Sequence, residues 1–152
     1  MITFRMYAIS LNMAIALMFF AFAITPAFSA EPKAWNAQEV LELSDELYSA
    51  ARHLTIACRQ MPPNYLDQEG SGGHLEFRYH VRHFQSVAGD LVDALENGKN
   101  MQETKPIFDT ALDMMPGMNK YTSLPGAGSW HGVANAVKKV DEIVVKLGAY
   151  YN

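Results

Sequence analysis

The chain has 152 residues, 49% of them hydrophobic, and 12 basic against 16 acidic side chains leave a net charge of −4. That length is enough for one domain of the usual ~100–200 residues, and the acidic balance, with no basic block, argues against nucleic acid as a partner. Cys58 is the only cysteine, so there is no internal disulfide and stability must come from core packing.

Residues 1–30 have the order of a secretory signal. Arg5 is the only charge before Glu31. The unbroken apolar run Met13–Ile24 follows, then Pro26 and the small-residue stretch Ala27-Phe28-Ser29-Ala30. Cleavage after Ser29 puts small residues at −3 and −1, whereas cleavage after Ala30 would put Phe28 at −3. A membrane-spanning helix wants ~20 apolar residues, which this run does not reach. The expectation is therefore a removed leader over 1–30 and a periplasmic or secreted domain over 31–152, with no membrane span left after cleavage. Losing Arg5 takes the mature chain to 11 basic against 16 acidic residues, a net −5.

Four amphipathic segments follow. Asn36-Ala37-Gln38-Glu39 fits a capping box, with Trp35 and Val40 at the staple positions. Val40, Leu43, Leu47, Ala50, Leu54, Ala57 and Met61 then recur in alternating steps of three and four, until Pro62-Pro63 stops the helix. Leu41 and Tyr48 fall off this stripe and are expected to face solvent or a partner. The second helix begins between Ser71 and His74 and carries Phe77, Val81, Phe84, Ala88, Leu91 and Leu95, with Asn97-Gly98 as its stop.

The third helix is expected from near Thr104, with Pro106 in its first turn. Its face is Ile107, Phe108, Ala111, Leu112, Met115 and Met118, and Pro116-Gly117 is expected to break or kink it. A fourth helix, capped by Ser129, carries Val133, Val137, Val140, Val144, Leu147 and Tyr151, with Lys138, Asp141, Glu142 and Lys146 off the stripe. Valines favour strands, but the helical spacing over five turns outweighs that propensity. The fold class this predicts is all-α, an antiparallel up-down-up-down four-helix bundle.

Such a bundle gathers the end of the first helix, the start of the second, the end of the third and the start of the fourth. The residues with ligand chemistry fall there: His53, Cys58 and Met61; His74, Glu76, His80 and His83; Met114, Met115 and Met118; and His131. At ~1.5 Å per residue, His53 and His80 both lie roughly 12 Å into the bundle. Imidazole and carboxylate suit zinc, copper or iron, and thioether sulfur favours Cu(I). Glu76, His80, His83 and Met115 are the candidate metal ligands, and His80 with His53 the candidate haem ligands.

Each residue also has a plainer reading. His80 can hydrogen-bond at the core edge, and the methionines can simply fill core space. Cys58 reads first as a buried, inert thiol. Gly128-Ser129-Trp130-His131-Gly132 is not a nucleophile elbow, because its serine is one place early and no strand precedes it. With no nucleophile–base pair at readable spacing, an enzyme is not expected.

The tract from Phe77-Arg78 through Asp90-Leu91-Val92-Asp93-Ala94-Leu95 to Asn97-Gly98-Lys99 resembles a third-helix segment of the soluble b-type relatives in the cytochrome c-prime superfamily. The resemblance implies an exported four-helix bundle that binds haem for electron transfer. Its covalent-haem members carry Cys-x-x-Cys-His near the C-terminus, whereas this chain ends Leu147-Gly148-Ala149-Tyr150-Tyr151-Asn152. The b-type members use a Met early in the first helix and a His late in the fourth, and neither is present here. No family ligand therefore carries over by position.

The sequence expectation is a small exported binding protein holding copper, zinc or non-covalent haem b at one end of the bundle, for metal handling or electron transfer. The alternative is a cofactor-free envelope interaction or structural protein, which would meet an envelope protein partner through Leu41, Tyr48, Tyr150 and Tyr151.

Overall fold

The computed structural model describes residues 31–60, 73–122 and 131–152, among which there are helices and no strand. The helices are α1 (Ala37–Gln60), α2 (Gly73–Glu96), α3 (Met101–Thr122) and α4 (His131–Tyr151), in keeping with the all-α class. The expected leader over 1–30, Met61, the Pro62-Pro63 stop and the Ser129 cap lie outside the described residues, as do the side chains of His74 and His131.

At the start of α1 the Asn36 carboxamide oxygen accepts from the backbone N–H groups of Gln38 (3.2 Å) and Glu39 (3.3 Å), satisfying two donors of the first turn. The other half of the capping box is diverted. The Glu39 carboxylate accepts from the Tyr150 hydroxyl at the far end of the chain. The buried line of α1 runs through Val40, Ser44, Leu47, Ala51, Leu54 and Cys58, with Ala50 and Thr55 beside it. It is turned from the expected stripe, and Leu43 and Ala57 are only half-buried at its edge. The cause is that α1 packs against both α2 and α4, so its buried arc is wider than a single seam. Ser44 and Thr55 are tolerated in that arc because their hydroxyls donate to the carbonyls of Val40 (2.7 Å) and Ala51 (3.0 Å).

In α2 every expected stripe residue from Phe77 to Leu95 is buried. The helix ends in a Schellman turn. Gly98 takes φ +76°, its N–H donates to Leu95 O (2.9 Å), and Lys99 N–H reaches back to Ala94 O (3.1 Å).

α3 corrects two expectations. It starts at Met101 rather than near Thr104, because Asn100 and Glu103 form a full capping box. Asn100 Oδ1 accepts from Gln102 N–H (2.9 Å) and Glu103 N–H (3.3 Å), and Glu103 Oε2 accepts from Asn100 N–H (3.0 Å). The helix also runs on through Pro116 and Gly117 to Thr122. A proline removes one backbone hydrogen bond, but Met115 and Met118 on either side are buried in the core, and tertiary packing of the apolar face sustains the helix. In α4 the whole expected stripe, Val133 to Tyr151, is buried.

Each helix packs against the next in the chain and α4 returns to α1, while the diagonal pairs α1–α3 and α2–α4 do not approach. The contact between α3 and α4 is the thinnest. Helix starts meet helix ends. Lys33 N–H donates to Ala149 O (2.7 Å), the rings of Phe77 and Tyr121 lie 5.0 Å apart, and Tyr151 reaches Thr104. No described helix is long and apolar enough to cross a membrane.

The expected partner surface does not survive this packing. Tyr150 and Tyr151 are buried, and Leu41 and Tyr48 pack half-buried against the core. Tyr48 lies over Gly89, where an added Cβ would come within 3.3 Å of its ring. Side chains off the single stripe are covered here because neighbouring helices flank α1 and α4 on two sides.

Candidate functional site

The start of α2 is where polar and apolar side chains with ligand chemistry stand together. Glu76 and His80 are one turn apart on the same face, and His80 Nε2 lies 3.6 Å from Glu76 Oε1. That is too long for a hydrogen bond, so the pair is close without being closed. The His80 side chain is 35% exposed and that of Glu76 64%.

Three neighbours set the surroundings of the pair. The Tyr121 phenol, from the end of α3, stands next to the Glu76 carboxylate. Burial, then that carboxylate, push the Tyr121 phenol up to about 12, so it remains a donor at neutral pH. Phe77, next to Glu76, holds the Tyr121 ring at 5.0 Å. On the solvent side, Tyr79 lies 6.2 Å from the ring of His80 and 6.2 Å from that of His83.

The other predicted ligands sit apart. His53 is exposed on α1. Met115 is 1% exposed within the core, packed with Met118. No hydrogen bond, ion pair or ring contact joins either His53 or Met115 to the Glu76–His80 pair among the described residues. Among those residues no group of three or more His, Cys, Asp or Glu gathers around one point. Cys58 is buried and unpaired, and burial pushes its thiol up to about 12 against a smaller opposing pull from Arg78. It is therefore a protonated core side chain rather than a thiolate.

Sequence reasoning missed Tyr121, Leu75 and Tyr79. Tyr121 continues the Met115–Met118 face by three residues, so its approach to the bundle was readable, though its partner was not. Leu75 and Tyr79 are spaced by four and lie off the α2 stripe, which marks an apolar strip on the outer face. They are 71% and 68% exposed, and with Ile56 at 49% they are the large hydrophobic side chains left outside the core among the described residues.

Single-signed charge is absent from this region, since Arg78, Arg82 and Glu76 alternate with the histidines along α2. The arrangement supplies one imidazole and one carboxylate beside a phenol, a second imidazole one turn away, and an apolar flank. It supplies no nucleophile–base pair. No protein-family model, no curated protein and no solved structure matches the chain.

Proposed function

We propose that the chain is a small exported binding protein, an antiparallel up-down-up-down bundle, that takes up a divalent transition-metal ion such as zinc or copper at the start of α2. The observation that carries this reading is the 3.6 Å spacing of His80 Nε2 and Glu76 Oε1 on the helix surface. Two donors on a tetrahedral zinc, each ~2.0–2.2 Å from the metal, stand roughly 3.3–3.5 Å apart. A small side-chain adjustment brings the pair to that distance. In this reading the Tyr121 hydroxyl, next to the Glu76 carboxylate, supports the site from behind. His83, one turn along, is the nearest further imidazole, and water or a partner completes the coordination.

Export rests on the leader-like order of residues 1–30. The antiparallel order rests on the contacts that join helix starts to helix ends.

Calorimetric titration with zinc and with Cu(II) tests the metal reading. One equivalent should bind to the wild type. His80→Ala and Glu76→Gln should each weaken binding by at least about tenfold, and Tyr121→Phe should weaken it by the ~10-fold or more typical of a lost supporting hydrogen bond. His53→Ala should leave binding unchanged. Equal binding by wild type and His80→Ala would overturn the assignment.

A second reading, recognition of a protein partner, is favoured by Leu75 and Tyr79, whose exposure leaves an apolar strip beside the histidines. The two readings separate on Leu75→Ser with Tyr79→Ser, which should abolish partner binding and leave metal uptake intact.

A further inference from the structure

A groove of about 450 Å³ runs between α1 and α2, on residues that the metal reading does not use. Its volume falls within the ~300–1,000 Å³ of small-ligand sites. The two helices meet with Tyr48 against Gly89 and Thr55 against Gln85, so the later part of α1 lies beside the earlier part of α2.

The charges along the groove are sorted. Arg59 and Arg82 line one end and Asp90 and Asp93 the other. All four side chains are exposed, and none has an ion-pair partner among the described residues. Between the ends the lining is neutral and polar. The Thr55 hydroxyl lies 2.7 Å from the Gln85 carboxamide, and Ser86 stands beside them.

Gly89 lets the Tyr48 ring close against α2 near the acidic end, because a side chain there would meet that ring at 3.3 Å. Arg52 lies with its guanidinium 6.0 Å from the centre of the same ring. The residues from Arg82 to Asp90 and Asp93 span ~12–16 Å along the helix at 1.5 Å per residue.

A ligand that satisfies both ends carries an anion and a cation separated by about that distance. An extended peptide advances ~3.3 Å per residue, so four or five residues place their two ends that far apart. A carboxylate suits the paired guanidinium groups, which offer forked donors. An ammonium suits the two aspartates. Thr55, Gln85 and Ser86 offer hydrogen bonds to peptide groups along the way.

We propose that the α1–α2 groove binds a free peptide of four or five residues in extended form, its C-terminal carboxylate at Arg59 and Arg82 and its N-terminal ammonium at Asp90 and Asp93. The proposal is independent of the metal reading.

The test is binding of tetra- and pentaalanine to the full chain, followed by calorimetry and by amide chemical shifts. Saturable binding with a dissociation constant at or below about 1 mM is expected, with shifts concentrated at Thr55, Gln85 and Gly89. N-acetylation or C-amidation of the peptide should each weaken binding by at least fivefold, and dialanine, too short to reach both ends, should weaken it at least as much. Arg82→Gln should mimic the loss from C-amidation, and amidated peptide should be insensitive to that substitution. Asp93→Asn should behave in the same way towards N-acetylation. Both positions are exposed, so unchanged thermal melts check that the variants fold. Binding that ignores blocking of the termini would overturn the proposal, as would no binding of free peptide. Preferential binding of a doubly blocked peptide with acidic and basic side chains would also overturn it, in favour of an internal segment of a partner protein.

Discussion

The hydroxyl of Tyr151, one residue from the C-terminus, donates to Thr104 Oγ1 at 3.0 Å inside the core. This contact ties the end of α4 to the first turn of α3, the pair of neighbours with the least contact elsewhere. Thr104 passes its own proton to the Asn100 carbonyl at 2.9 Å, so the chain of hydrogen bonds ends on the residue that caps α3. The Tyr151 ring stacks on Phe108 (4.5 Å, 9°) and meets Trp35 edge-on (5.3 Å, 70°). A single side chain thus joins α3, α4 and the residues that lead into α1.

Tyr151→Ala should therefore cost about 3–5 kcal/mol, the range for deleting a buried large aromatic side chain. Tyr151→Phe keeps the ring contacts and should cost only about 1 kcal/mol, because Thr104 retains its bond to Asn100. Urea unfolding of the two variants measures the difference. Equal losses would mean that the hydroxyl pair, and not the ring, holds this corner.

Gly98 and Gly117 should respond oppositely to alanine. Gly98 sits at φ +76°, where a side chain is strained although nothing lies within 4 Å, so Gly98→Ala should lower stability by about 1 kcal/mol. Gly117 lies inside α3 with open space around its missing Cβ, and Gly117→Ala should raise stability by about 0.5–1 kcal/mol through helix propensity. Thermal melts of both variants check the signs.

Alkali should destabilise the fold before any of its core groups ionise in place. Cys58 is raised from 9.0 to about 12 and Tyr121 from 10.0 to about 12, with Tyr151 raised as well, each first by burial. The unfolded chain releases these protons at the lower, ordinary values. Above about pH 9 the folded state therefore binds more protons, and stability falls as pH rises towards 12. Below that window these groups leave stability unchanged. The urea midpoint should decline from pH 9 upward, and Cys58→Val should flatten the first part of the decline whatever its effect at neutral pH. A midpoint constant across the window would contradict the burial of these groups.

The helices were legible because each carries its own signal. Phe77 to Leu95 and Val133 to Tyr151 repeat at the helical period, and Asn97-Gly98 ends α2 through a turn that needs a left-handed residue. The Asn100-x-x-Glu103 box was equally local and could have moved the start of α3. The expected break at Pro116-Gly117 does not occur, because a proline weighs against a helix locally while burial of Met115 and Met118 is decided by what lies opposite.

The site was legible only in part. The spacing of Glu76, His80 and His83 on one helix follows from the period of 3.6 residues, so their closeness could be read directly. What touches them from elsewhere could not. That Tyr121 comes to stand beside Glu76, and that Tyr150 leaves solvent to bond Glu39, depend on pairings between residues far apart in the chain.

By itself, then, the sequence determined which segments coil, where α1 begins, where α2 begins and ends, and which faces of α2 and α4 are apolar, since these follow from interactions within a few residues. The tertiary structure alone decided how wide each buried arc is, which tyrosines are covered, and that Arg59 of α1 joins Arg82, Asp90 and Asp93 of α2 along a single groove. Such outcomes depend on how one helix surface is turned against another, and hydrophobic burial, being non-directional, leaves that rotation to be settled by the packing of all four helices together.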